Sequence, residues 1–278
     1  MRTFHPRELS NLKKRVETPE NGQVTIIGGS DLFHGAPILA LRAASRIVDM
    51  VYFASPEPSI GKVAELLKSQ LGSFIWVPWQ EVGSYIEKSD AILIGPGMKR
   101  WREESVKRKA KSAKIWDDVG RETQGITEDL LKKFPNKQWV IDGGALQTMD
   151  AKTIPPSAIV TPNEKEYELL FDDQEVSQVA KEYNCIVVHK GPVTHVCSPE
   201  DCVEVTGGNN GLTKGGTGDV LAGLTVVLAA QNDPFLAAAA ASWVVKRAAD
   251  DLLERVGAVY NADDLAEEVP KVLGNYLR

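Results

Sequence analysis

Gly207–Ala230, GGNNGLTKGGTGDVLAGLTVVLAA, has the clearest chemical content in this 278-residue chain. Six of its first twelve residues are glycine, and one acid, Asp219, stands where the glycines give way to an Ala/Leu/Val-rich run. That run reads as a buried helix beginning near Thr217. A helix start carries unpaired N–H groups and the positive end of the helix dipole. Glycines at 215, 216 and 218 let this backbone close around a phosphoryl group without Cβ clashes. A carboxylate beside such a cradle opposes the charge of the anion. A lone Asp here would ordinarily cap the helix. The chemistry that gives it a purpose is general-base catalysis, in which it takes a proton from a hydroxyl attacking the phosphoryl group. The loop is not a standard phosphate motif. No GxxxxGK[ST] fits around it, and Gly216-Thr-Gly218 is followed by Asp-Val-Leu where a dinucleotide fingerprint places its third glycine.

The elements that must hold this loop are legible as short apolar runs: Gln23–Gly29, Met50–Ser55, Ser73–Pro78, Asp90–Gly97, Gln138–Gly144, Ser157–Asn163 and Cys185–Gly191. Each is apolar nearly throughout, the pattern of strands buried on both faces. Segments of helical spacing lie between them, among them Ala36–Val48, WREESVKRKAKSA, TEDLLKKF and NEKEYELLF. This alternation predicts an α/β fold with a mainly parallel sheet and helices on both faces. Thr194–Ser198 and Cys202–Gly207, joined by PED, read as an antiparallel hairpin at the sheet edge. The chain then becomes helical over Gly218–Ala230, Pro234–Arg255 and Ala262–Leu277. The strand ends GGS, GPG, DGG, TPN and HKG are small and polar. Any one of them reads as a turn; the five together predict a ligand cleft at the carboxyl ends of the strands.

Composition excludes several classes. The net charge of −6 argues against a general nucleic-acid binder. The basic stretch Lys107–Lys114 is flanked by Glu103, Glu104, Asp117 and Asp118 and reads as a solvated helix face. No apolar run reaches the length of a membrane span, and the polar N-terminus has no apolar signal core, so a cytoplasmic protein is expected. The three cysteines, with an odd count and no CxxC pair, argue against a disulfide framework. Cys185, His189, His195, Cys197 and Cys202 cluster in sequence, but their spacing matches no zinc pattern and is read as core packing and hairpin surface. Residues 1–278 are taken as one domain, with 1–22 as an N-terminal extension.

In order along the chain, VTIIGGSDLFHGAPILALRAA, DAILIGPGM, VIDGGAL, IVTPNEKEYELL, VVHKGPVT and NNGLTKGGTGDVLAG followed by DPFLAAAAA resemble the segments of the ADP/ATP-dependent NAD(P)H-hydrate dehydratases, within the ribokinase-like superfamily. The resemblance implies a ribokinase-like three-layer α/β/α domain, and the dehydratase alone, without the epimerase half of the bifunctional repair proteins. It implies that Ala36 and Gly97 line the site of the hydrated nicotinamide nucleotide and that Asn163 hydrogen-bonds to it. Lys190, Gly191, Pro192, Val193 and Thr194 would hold ADP or ATP, with Gly218 beside its phosphates. Gly216, Thr217 and Gly218 would form the anion hole and Asp219 the base. Mg2+ would bridge the nucleotide phosphates, with no side chain assigned as its ligand. The implied partners are small nucleotides, not nucleic acid or membrane, and the implied assembly is a homo-oligomer, a tetramer being one candidate. Three departures stand out. Asn163 replaces a frequent His, the usual DAD is DGG, keeping Asp142 and losing the second acid, and ETPENGQ replaces the usual loop before the first strand, keeping only Gly22. A small-molecule kinase of the same superfamily and a non-catalytic nucleotide-binding regulator are the alternative readings.

Overall fold

The computed structural model describes residues 1–101 and 118–277. The basic stretch Lys107–Lys114 and the helical pattern before it lie outside the described residues. The strands are β1 (Arg2–Thr3), β2 (Gln23–Ile27), β3 (Met50–Ala54), β4 (Ile75–Trp76), β5 (Ala91–Ile94), β6 (Gln138–Ile141), β7 (Ile159–Val160), β8 (Ile186–His189), β9 (Thr194–Cys197) and β10 (Cys202–Val205). They form one sheet in the order β1-β10-β9-β8-β7-β6-β5-β2-β3-β4, and β2 through β8 run parallel. Each of the seven apolar runs contains one of these parallel strands.

Alternation along the strands divides the core in two. In β5, Ala91 and Leu93 point to one face while Ile92 and Ile94 point to the other, and none of the four is exposed to solvent. The first face is covered by α1 (Gly35–Ala44), α2 (Ser59–Leu67), α8 (Thr217–Ala229), α9 (Pro234–Val256) and α10 (Ala262–Tyr276). The second is covered by α3 (Val82–Lys88), α4 (Asp118–Lys133), α5 (Gly143–Thr148), α6 (Glu164–Phe171) and α7 (Val176–Glu182). Both faces are therefore dry. A strand in such a sheet has no polar side to show, which is why the strands read as unbroken apolar runs. The short helices α3, α5 and α7 carry too few turns to show a helical period in sequence.

Three expectations about the edge of the sheet change. The β9–β10 hairpin is antiparallel, but it is not the edge: β1 adds beyond it, parallel to β10, with Arg2 opposite Val203 and Thr3 opposite Glu204. The N-terminal stretch read as an extension buries Phe4, Leu9 and Leu12 in the first core, Leu9 completely. Cys197 and Cys202, argued against as a disulfide, are bonded. The turn brings them opposite each other across the hairpin, with Cα atoms 4.1 Å apart. Cysteine count and motif spacing cannot show this, because strand register decides it. Cys185 is free and buried, and burial pushes its thiol up to about 12.

Candidate active site

A cleft of about 1060 Å³ opens at the carboxyl ends of β5 to β8, where ligands bind in open α/β sheets. Four of the five small, polar strand ends reach it, bringing in Gly97, Asp142, Asn163 and Lys190; Gly28 to Ser30, at the end of β2, do not. Of the residues picked from sequence, Ala36, Gly97, Asn163, Lys190, Gly191, Pro192, Thr194, Gly216, Thr217, Gly218 and Asp219 line the cleft. Val193 does not line it and is 40% exposed.

The floor of the cleft is the start of α8. This helix is buried without a break from Val220 to Ala229, so its axis is held by packing on every side. Gly216 is its N-cap, with a left-handed φ of 95°, and a Cβ there would lie 2.4 Å from Leu39 Cδ1. Backbone conformation and packing thus both demand glycine at 216. Gly218 is different. It has no positive φ, and a Cβ would meet only the mobile end of Lys190, its Nζ, at 3.3 Å; at Gly215 a Cβ would meet nothing within 4 Å. Neither glycine is required by the fold, and both border the cleft. The N–H groups of Gly218 and Asp219 find no backbone acceptor among the described residues. The Thr217 hydroxyl is committed to the loop, donating to the carbonyls of Leu212 (2.7 Å) and Lys214 (2.9 Å).

A charged cluster faces this helix start. Lys190 Nζ lies 2.9 Å from Asp142 Oδ1 and 3.8 Å from Glu166 Oε2. Both carboxylates are buried, at 3% and 5% exposure. Asp142 Oδ1 also accepts from the Thr161 hydroxyl at 2.8 Å, while its Oδ2 carries no hydrogen bond among the described residues. Glu166 accepts from Gln147 Nε2 (3.0 Å) and from the Asn163 N–H (2.9 Å), completing a capping box at the start of α6 in which Asn163 Oδ1 accepts from Glu166 N. The cap uses Asn163 Oδ1 and leaves its Nδ2 donor without a partner among the described residues.

These neighbours set the electrostatics. Burial opposes the charge on Lys190, but Asp142, Glu166 and Asp219 outweigh it and hold the ammonium above the ordinary lysine range. Burial raises the Glu166 carboxyl, and Lys190 only partly offsets this. Asp219 is pushed up to about 7, first by burial and then by the charge of Asp142, against the pull of Lys190. A carboxylate at about 7 exchanges protons near neutral pH, as a general base must. A mere helix cap is not raised in this way.

Sequence reasoning missed Glu166, Gln147 and Lys246 as cleft residues. Glu166 carried a signal, since Asn163 and Glu166 have capping-box spacing. Lys246 carried none, because it looks like a solvated position on a long helix. Asp142 was noted only as the surviving acid of DGG. The lost acid has a local reason: a Cβ at Gly144 would lie 2.2 Å from the Met98 carbonyl oxygen, so no side chain fits there.

Comparison with known proteins bears on the fold and the family. The bifunctional NAD(P)H-hydrate repair enzyme Nnr of Methanocaldococcus jannaschii is 33% identical over 281 aligned residues, covering 96% of this chain and 51% of that protein; the chain thus spans about half the length of such bifunctional relatives. The ADP-dependent (S)-NAD(P)H-hydrate dehydratase of Cenarchaeum symbiosum is 26% identical, and the alignment covers 98% of this chain and 94% of that one. Among solved structures, a ribokinase-like superfamily protein from Enterococcus faecalis superposes with a TM-score of 0.80 at 22% identity, over 99% of this chain and 96% of that one. The ADP/ATP-dependent NAD(P)H-hydrate dehydratase of Bacillus subtilis, co-crystallised with ATP/Mg2+, superposes with a TM-score of 0.72 at 20% identity, over 99% and 98% of the two chains. The fold is therefore the three-layer ribokinase-like one. Residues 24–271 match the NAD(P)H-hydrate dehydratase family, a span that takes in every strand end and the helix start lining the cleft, and the chain belongs to that family.

Proposed function

We propose that the chain restores NADH or NADPH from its hydrate, using ADP or ATP as phosphoryl donor. The observation that carries this reading is Asp219: a carboxyl at about 7, placed beside a helix start whose first N–H groups have no backbone acceptor among the described residues and whose unforced glycine makes an anion cradle. Hydroxide is a poor leaving group, and phosphorylation converts the ring hydroxyl of the hydrate into a good one. Asp219 takes the proton from that hydroxyl while its oxygen bonds to the terminal phosphorus and the bond to the leaving nucleotide breaks. The N–H groups of Gly218 and Asp219 and the Lys190 ammonium stabilise the charge on the transferred group. The electron pair of the ring nitrogen then expels phosphate, and loss of a proton from the adjacent carbon restores the dihydronicotinamide.

Ala36 and Gly97 form the nicotinamide side of the cleft, with Asn163 Nδ2 as the free donor there. Lys190, Gly191, Pro192 and Thr194 form the nucleotide side, Val193 standing outside it, and the Gly207–Lys214 segment closes over it. Among the described residues no three His, Cys, Asp or Glu side chains gather as a metal site. Of Asp142 and Glu166, both Glu166 oxygens are hydrogen-bonded, and Asp142 Oδ2 is the one carboxylate oxygen of this pair that would face a hard cation. When bound, Mg2+ would neutralise phosphate charge beside these two residues. No helix among the described residues is long and apolar enough to cross a membrane. We place the enzyme in the cytoplasm, as one domain acting on free nucleotides and assembled as a homo-oligomer.

The test is to incubate the protein with NADH hydrate or NADPH hydrate, Mg2+ and either ADP or ATP. Nucleotide-dependent return of reduced-nicotinamide absorbance is expected, with one phosphate released per turnover. A stable phosphorylated product from an alcohol or vitamin precursor, with no action on hydrates, would instead make it a kinase. Nucleotide binding without any turnover would make it a regulator.

Gly218→Ala separates ligand binding from folding. Alanine favours a helix by about 1 kcal/mol over glycine, and its Cβ, 3.3 Å from Lys190 Nζ, asks the ammonium for only a small shift within its contact to Asp142. Unfolding stability is therefore expected to hold or rise. The methyl group intrudes on the anion cradle, so the KM for the nucleotide should rise about tenfold, the effect of one lost charge-assisted hydrogen bond. Equal losses of stability and affinity would make Gly218 a packing residue instead.

A further inference from the structure

Beneath the nucleotide side of the cleft lies a buried cation that the proposed chemistry does not use. Lys246, on α9, is only 6% exposed. Its ammonium donates to the carbonyls of Gly191 (3.1 Å), Pro192 (2.7 Å) and Gly207 (3.1 Å). An ammonium has three donors, and all three are engaged. One turn further along α9, Asp250 accepts from the N–H of Gly208 (3.0 Å) and from Asn209 Nδ2 (3.3 Å). Asn209 is itself fixed, with its Nδ2 on the Ala249 carbonyl (2.9 Å) and its Oδ1 accepting from the Tyr260 hydroxyl (2.8 Å). Lys246 therefore ties the turn before the β9–β10 hairpin to the segment after it, and Asp250, four residues along the same helix, fixes Gly208 and Asn209 beside it.

A buried charge is expensive unless fully hydrogen-bonded. Burial pulls the Lys246 pKa down and Asp250 pulls it up. An apolar residue in this place would leave the Pro192 and Gly207 carbonyls without a side-chain donor among the described residues, and Gly191 with only the Thr194 hydroxyl at 3.4 Å. The loops joined here are the 190–194 turn and the 207–209 segment, two walls of the same cleft.

We infer that Lys246 is a positioning residue for the adenine nucleotide: it clamps the 190–194 turn to the 207–209 segment and so sets the shape of the nucleotide half of the cleft. This rests on the reading above that the 190–194 turn holds the nucleotide. Lys246 has no hydrogen-bonding capacity left for a phosphate, so its influence passes through the loops.

The experiment compares Lys246→Met, Lys246→Gln and Lys246→Arg with the wild type in steady-state kinetics with NADH hydrate, in calorimetric titration with ADP and ATP, and in thermal unfolding. Lys246→Met should raise the nucleotide KM and Kd about ten- to hundredfold, the worth of a hydrogen bond from a charged donor. The KM for the hydrate should move far less, and the loss should fall on nucleotide KM more than on kcat. Lys246→Arg should recover part of the affinity, and Lys246→Gln, which keeps two donors, should lie between. If Lys246→Met does not fold, the same ordering is read from the Gln and Arg variants. Wild-type nucleotide affinity in the folded variants, or equal rises in both KM values that track the fall in Tm, would overturn the inference. Absence of turnover in the wild type would overturn the functional reading instead, and the ADP titration would still decide the role of Lys246.

Discussion

Asp219→Asn should lower kcat about 10²- to 10⁴-fold, the usual contribution of a general base, while both nucleotides still bind and the protein becomes more stable. The two effects share a cause. The folded chain holds the Asp219 carboxyl at about 7, against an ordinary 3.8. Its ionisation therefore opposes folding: the favourable contribution is complete below 3.8 and is lost as pH rises through about 7. Asparagine has no charge to bury. The Tm of the variant should match wild type near pH 4, rise above it between pH 4 and 7, and keep a constant margin at higher pH. Each kcal/mol relieved corresponds to about 2–4 °C in a domain of this size. The same carboxyl makes wild-type kcat/KM climb with pH through about 7, since that ratio reports the free enzyme. An Asn variant with near-normal turnover, or with no stability margin at pH 8, would remove Asp219 from the role of base.

Lys190→Met should be the most damaging substitution for stability. The side chain lies among three acids: its charge opposes the effect of burial at Glu166 and Asp219, and Asp142, Glu166 and Asp219 in turn hold its ammonium charged. Breaking a buried ion pair from one side leaves uncompensated charge and costs about 3–5 kcal/mol. Without the ammonium, Glu166 and Asp219 lose the charge that offsets their burial and titrate at higher pH than before. The loss should therefore be largest at pH 8 and shrink at pH 5, where the acids protonate instead of repelling. For the same reason any residual kcat/KM inflection should move to higher pH. Denaturant unfolding of wild type and variant at the two pH values checks this. Adding Glu166→Gln to Lys190→Met should restore part of the stability at pH 8, because one of the stranded charges is gone. A loss that is equal at both pH values would mean that Lys190 stabilises through packing of its stem and not through charge.

The chemistry at the helix start was open to reading because it is local. Gly215, Gly216, Gly218 and Asp219 are neighbours in the chain, and the properties of a helix start follow from its backbone alone. The seven parallel strands were equally legible, since burial on both faces forces every position of a strand such as β5 to be apolar. What needed the fold was each contact between distant segments. Sequence alone left Gly216 and Gly218 as equivalent members of one cradle. Packing separates them, placing Leu39 against the first and only the end of Lys190 beside the second.

The disulfide shows the same division. Cys197 and Cys202 pair because the hairpin register sets them opposite each other, and register is a property of two strands together. β1, two residues long, could be found only where β10 offers it an edge. The sequence by itself determined the α/β class, the order of the elements and the glycine-rich helix start with Asp219 beside it, all matters of local pattern and backbone physics. Only the tertiary structure decided that the acid comes within the fields of Asp142 and Lys190 at the floor of the cleft, where burial and charge lift it to about 7, and that Lys246 lies beneath the nucleotide loops. A pKa and a clamp both depend on groups brought together from far apart in the chain, and local pattern carries no record of them.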